Sequence, residues 1–162
     1  QFCQVFGNTY GIEWIGLRYF NVFGPKQNPN NPYAAVIPIF SKAFLDNEEI
    51  IVNGDGETSR DFTYVDNVVE MNKLAMFTTN SLALNQVYNT ACNERVTLNQ
   101  MIYRLSEITG NNANVTYGPE RIGDVKHSLA SIEKAKTLLG YTPLVYFNEG
   151  LEKVVSWYRK NL

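Results

Sequence analysis

Apolar positions recur along the chain with two periods, one helical and one alternating, and they divide it into successive helices and strands. Phe2, Val5, Phe6 and Tyr10 fall at helical spacing ahead of Gly11, a natural helix stop. The chain opens on Gln1 without a Met, so the start of that helix is expected to lie in a longer protein. "IEWIGLRYF", residues 12–20, is apolar, β-branched and aromatic, and predicts a buried strand. Residues 21–34, rich in asparagine and proline, predict a long ordered loop or lid. Val36, Phe40 and Phe44 predict one face of a helix over 35–46, with Pro38 tolerated in its first turn. "IIVN" and "DFTYV" read as short strands on either side of the turn "GDGETS".

Asp66 or Asn67 offers the next helix cap, with Glu70 three residues after Asn67. Val68, Val69, Leu74, Ala75 and Phe77 are expected to supply its buried side. "QVYNTA" predicts a strand, and "TLNQ" (97–100) is a capping-box signature ahead of the helix "MIYRLSEITG". "NVTYG" predicts another strand. Ser131 as cap and Gly140 as stop frame a helix followed by Pro143. Leu151, Val154, Val155 and Tyr158 form one side of a closing helix. Strands alternate with helices throughout, which places the chain in the α/β or α+β class.

The 162 residues suffice for one ordinary domain with a real core. Hydrophobic residues make up 44% and charged residues 19%, a globular composition rather than a disordered one. The net charge is −2, from 14 basic and 16 acidic residues, which argues against nucleic acid as a partner. Cys3 and Cys92 form neither a disulfide framework nor a metal-type spacing, and a cytoplasmic location is expected. With no apolar run approaching ~20 residues, no membrane-spanning helix is expected. No G-x-G-x-x-G turn occurs, and "GDGETS" lacks the Gly-Lys-Ser/Thr ending of a phosphate loop.

The stretch "NGDGETSRDFTYVDN" (53–67) raises the one chemical question at this level. Arg60 sits where a glycine-containing loop becomes a strand. It reads either as a guanidinium offered to an anionic ligand or as a solvated charge beside a hairpin turn.

Six motifs in order decide between these readings. "LRYFNVFGP" (17–25), "AAVIP" (34–38), "VNGDGETSRDFTYVDN" (52–67), "YNTA" (88–91), "GDVKHSLAS" (123–131) and "KAKTLLGYTP" (134–143) resemble the C-terminal part of the extended short-chain dehydrogenases/reductases. Within that family they are most similar to the NAD-dependent nucleotide-sugar epimerases and dehydratases, in particular the UDP-N-acetylglucosamine 4-epimerases of polysaccharide biosynthesis. The resemblance covers essentially the whole chain. It implies the last pieces of a Rossmann-type NAD domain, over 1–33, and a small α/β nucleotide-sugar-binding domain, over 34–162, with some segments returning to the Rossmann sheet.

The resemblance also assigns residues. Arg60 and Arg121 match the two arginines that grip the substrate diphosphate, whose oxygens suit a planar guanidinium fork. Asp124 matches the carboxylate that accepts bonds from the uridine ribose. Ala35, Val36, Val52 and Asn53 match segments that form the uracil slot, although Val36 also reads as plain core. Asn21 matches an amide that contacts the phosphate or sugar. Tyr19 and Phe20 match residues lining the nicotinamide and the sugar, or else pack in the core. His127, the single histidine, carries no assigned acid–base role. No catalytic residue is expected within the chain, because the family's Tyr-x-x-x-Lys pair and Gly-rich loop belong upstream of Gln1. The implied intact protein is an NAD-dependent homodimer acting on a UDP-sugar through a 4-keto intermediate. A sibling dehydratase, decarboxylase or epimerase, or a non-catalytic binding module, is the alternative.

Overall fold

In the computed structural model, which describes residues 1–30 and 35–161, the strands among the described residues pair two by two with distant partners. Helix α1 (Phe2–Tyr10) follows Gln1, which occupies the N-cap position without a side-chain capping bond. The helix ends on Gly11, whose φ of 68° lets its N–H reach Gly7 O at 2.9 Å. Its apolar side chains are uncovered, Phe2 being 83% exposed. Strand β1 (Ile15–Tyr19) runs parallel to β6 (Gln86–Thr90), with Leu17 opposite Tyr88. The strand expected over 12–20 is shorter and only half-buried. Among the described residues β1 has a neighbour on one side only, so Arg18 and Tyr19 are exposed.

Strand β2 (Val22–Phe23) interrupts the predicted loop and pairs parallel with β5 (Thr63–Tyr64). The end of that loop, and the domain boundary drawn between 33 and 34, lie outside the described residues. Helix α2 (Val36–Asp46) forms where its periodicity predicts, with Pro38 in the first turn, where no intrahelical N–H bond is lost. Strand β3 (Ile50–Asn53) runs parallel to β8 (Val115–Gly118), while β4 (Ser59–Arg60) runs antiparallel to β7 (Val96–Thr97). "IIVN" and "DFTYV" are therefore not the arms of a hairpin. Gly54 N–H donates to Gly118 O at 3.0 Å and extends the β3–β8 ladder where a hairpin would have turned back.

Helix α3 (Val65–Phe77) starts after Tyr64, ahead of both predicted caps. Asn67 is instead fully buried. Its Oδ1 accepts from Leu144 N at 2.7 Å and Val145 N at 3.0 Å, and its Nδ2 donates to Val145 O at 2.6 Å. The buried face of α3 is turned accordingly, with Asn67 and Met71 inside and Val69 and Phe77 in solvent. Helix α4 (Leu98–Thr109) opens on the predicted capping box, Thr97 and Gln100 exchanging both bonds. Helix α5 (Glu133–Leu139) starts after Ile132, with Ser131 Oγ accepting from Glu133 N at 3.4 Å, and stops at Gly140. Helix α6 (Phe147–Asn161) buries Leu151, Val154, Val155 and Tyr158, as its pattern predicts.

Two apolar clusters result among the described residues. One joins α2, α4 and α6 around Phe44, Leu105 and Val154, and includes the aromatic group Phe23, Phe62, Tyr64 and Phe147, with ring centroids 5.5–6.3 Å apart. The other gathers Met71, Tyr88, Leu139 and Tyr141 against Ile15 and Leu17. Among the described residues no helix is long and apolar enough to cross a membrane.

Candidate functional site

Strand alternation builds the site. Along 58–62 successive side chains point to opposite sides. Ser59 and Asp61 are fully buried, while Thr58, Arg60 and Phe62 face a cleft of about 350 Å³. That volume lies in the range of small-molecule sites. The antiparallel β4–β7 pair holds Arg60 in place, with Arg60 opposite Val96. Asp61 anchors the strand from behind: Oδ1 accepts from Cys92 N at 2.9 Å and Oδ2 from Ala130 N at 3.3 Å. Burial pushes its carboxyl above the usual range, and the backbone N–H groups of Cys92, Ala130 and Asn93 offset this only in part.

The guanidinium of Arg60 is oriented on both sides. Nη1 donates to Ser59 O at 2.9 Å and to Lys126 O at 3.4 Å, and Nη2 stands 3.6 Å from Asp124 Oδ1. Arg121 and Asp124 come from the exposed segment after β8. There Asp124 N–H donates to Arg121 O at 3.3 Å and closes a turn. Its third residue needs a positive φ, which Gly123 supplies at 86°. Two arginines 61 positions apart in sequence thus line one cleft, with one carboxylate among them.

The remaining walls are apolar. Val36, Ile37, Ile39 and Phe40 come from the first turns of α2, Val52 from β3 and Leu98 from the start of α4. Ala35 sits at the N-cap of α2, and Asn53 adds a polar group at the end of β3. Asn21, at φ 33°, lines the cleft and donates from Nδ2 to Asp61 O at 3.1 Å. The cleft can therefore take a flat apolar ring on one side and an anion on the other, with few polar groups to fix orientation.

All eight predicted binding residues, Asn21, Ala35, Val36, Val52, Asn53, Arg60, Arg121 and Asp124, line this one cleft. Tyr19 and Phe20 do not. Tyr19 is exposed with its OH donating to Asn72 Oδ1 at 3.1 Å, and Phe20 packs on the cluster around Tyr88. Gln1, ahead of which the catalytic pair is expected, also lies outside the lining. It is exposed, and its carbonyl accepts from Val5 N at 3.0 Å in the first turn of α1, so it takes a structural part at that helix start and no part in the cleft. Thr58, Phe62 and Leu98 belong to the lining without a sequence signal of their own. Two-residue spacing from Arg60 finds the first two once the strand is known. Cys92 is buried, and burial, with Asp61 and Glu94 nearby, pushes its thiol up to about 12, too high for a nucleophile at neutral pH.

Residues 1–91 match the NAD dependent epimerase/dehydratase family. The fold superposes on a UDP-glucose 4-epimerase of Thermotoga maritima solved with UDP-glucose, at 41% identity and a TM-score of 0.91 over 98% of this chain and 50% of that one. It matches equally a UDP-N-acetylglucosamine 4-epimerase of Methanobrevibacter ruminantium in complex with UDP-N-acetylmuramic acid, at 38% identity and a TM-score of 0.91 over 99% of this chain and 51% of that one. A UDP-N-acetyl-alpha-D-glucosaminuronate decarboxylase of Bacillus cytotoxicus is 27% identical over 93% of this chain and 47% of its own. The chain spans about half the length of the relatives it matches.

Proposed function

This chain belongs to the NAD dependent epimerase/dehydratase family, and on that premise we propose that it is the UDP-sugar-binding portion of an NAD-dependent 4-epimerase. UDP-N-acetylglucosamine or UDP-glucose is the proposed substrate. One observation carries the reading: Arg60 and Arg121 line the same cleft, beside an apolar slot and a carboxylate. A pyrophosphate between two guanidinium groups, a ring against Val36 and Val52, and a ribose hydroxyl on Asp124 would use every part of it.

In this reading the two apolar clusters divide the labour. The strands β1 and β6 and their cluster belong with the cofactor domain, and the α2–α4–α6 cluster carries the nucleotide. The residues present do not themselves cradle a dinucleotide. Where strands run straight into helices, at Tyr64–Val65 and Thr97–Leu98, bulky side chains stand where a pyrophosphate turn needs glycine. The sequence also holds no Tyr-x-x-x-Lys from Gln1 onward. NAD, held by the rest of such a protein, supplies the redox chemistry by which sugar C4 passes through a ketone. The work of this chain is to bind UDP firmly and leave the sugar loosely held, so that either face of the ketone can be presented.

A sibling reaction is the second reading, favoured by the similarity to a uronate decarboxylase. Incubating the full-length protein and NAD with UDP-glucose, UDP-N-acetylglucosamine and UDP-glucuronate decides between them. Interconversion at C4 supports the epimerase, and carbon dioxide release from the uronate supports the sibling. Failure to bind UDP at all overturns both.

A further inference from the structure

We propose that His127 is a positioning residue: its bond to Ser59 holds the Arg121–Asp124 turn at the cleft, so that Arg121 and Arg60 meet one anionic diphosphate. The inference rests on the nucleotide-binding reading above and extends it to residues outside the cleft lining.

Every residue from Arg121 to His127 is exposed. A segment with no buried side chain has no apolar anchor, so its place is set by its polar contacts. Those contacts converge on Ser59, which is fully buried and fixed in the β4–β7 pair. Ser59 N–H donates to Lys126 O at 2.9 Å, and Ser128 N–H donates to Ser59 O at 3.1 Å. Between these two backbone bonds the side chains close as well, Ser59 Oγ and His127 Nδ1 lying 2.9 Å apart in a hydrogen bond.

The other ties to the segment are weaker or are offered to the ligand. Lys126 Nζ lies 3.9 Å from Asp55 between two exposed groups. The Arg60–Asp124 pair uses the guanidinium that the nucleotide itself engages. Among the described residues, His127 thus supplies the strongest side-chain tie to this segment that a bound diphosphate leaves untouched. Ser59 and Arg60 are neighbours on one strand, so the tie sets the Arg121 turn against the same strand that presents Arg60.

The test is UDP affinity by titration calorimetry on the full chain, with the melting temperature of each variant. His127→Ala and Ser59→Ala should each weaken UDP binding about fivefold to tenfold, the worth of one hydrogen bond. Combining them should weaken it no further, since both remove the same bond. His127→Asn, whose amide can donate or accept at the Nδ1 position, should stay within about twofold of the wild type. Arg60→Ala serves as the control for the site. If it loses UDP while His127→Ala binds like the wild type, the positioning role is wrong. If His127→Asn loses affinity as His127→Ala does, the hydrogen bond is not the cause and the role is again wrong. If Arg60→Ala itself binds normally, the nucleotide reading fails and the inference goes with it.

Discussion

Nη2 of Arg60 stands 3.6 Å from Oδ1 of Asp124, across the mouth of the cleft that both line. Asp124 is exposed, so the pair is weak and does not lock the guanidinium away from an anion. Arg60→Ala should cost about 2–3 kcal/mol of UDP binding, the worth of a charge-assisted bidentate contact. Asp124→Ala should cost less, about 1 kcal/mol, the worth of an ordinary hydrogen bond. Calorimetric titration with UDP checks both, and tighter binding by Asp124→Ala would show that the carboxylate opposes the nucleotide.

Gly56 sits at φ 77°, buried against Asn99. A Cβ there would lie 2.1 Å from Asn99 Oδ1. Asn99 ties the 54–58 turn to α4 by donating to Asp55 O at 3.0 Å and to Glu57 Oε1 at 2.6 Å. Gly56→Ala should therefore lose about 1–3 kcal/mol of stability, from backbone strain and the displaced amide. A denaturant midpoint unchanged from wild type would rule this out.

Asp61 gives the chain a pH-dependent element of stability. Its buried carboxyl keeps a proton above the ordinary value of 3.8, while the unfolded chain has already lost one there. The folded state then binds more protons, so this contribution falls as pH rises through the weakly acidic range and levels off above the folded value. Urea midpoints across that range should show Asp61→Asn lacking the decline that the wild type shows. Parallel curves for the two proteins would remove Asp61 as its source.

Asn67 closes four hydrogen bonds inside the protein, three of them to the backbone of Leu144 and Val145 and one to Cys92 Sγ at 3.4 Å. Asn67→Ala leaves the N–H groups of Leu144 and Val145 unpaired and the Val145 carbonyl with only the weak Cys92 thiol contact at 3.9 Å, and should cost about 3 kcal/mol or more. Equilibrium unfolding measures it directly, and a loss under about 1 kcal/mol would mean that the 144–145 segment finds other partners.

The 162-residue chain alone should convert no UDP-sugar, because it holds neither a Tyr-x-x-x-Lys nor a Gly-rich turn. NMR detection of C4 inversion by this chain with added NAD would refute the division of labour proposed for it.

Most local signals in the sequence hold, although neither Asp66 nor Asn67 caps α3. Thr97 and Gln100 announce a helix start because both partners of the cap lie within four residues. Gly11 and Gly140 announce helix ends because only the local backbone matters. The cleft residues are legible through likeness to a family, and Arg60 by its own neighbours is ambiguous. The pairing of β3 with β8 and β4 with β7 is not legible, since each strand has a nearer and equally suitable partner in sequence. The buried face of α3 escapes its apolar pattern for a similar reason. Asn67 is a polar residue whose inward turn is set by carbonyl and amide groups nearly eighty residues away.

The ladder between β4 and β7 is only two residues long, yet it decides the sign of the cleft. A slip of one position would draw the guanidinium inward and swing Ser59 and Asp61 outward. The proposed anion site would then present the Asp61 carboxylate where it now presents a guanidinium, with every amino acid unchanged.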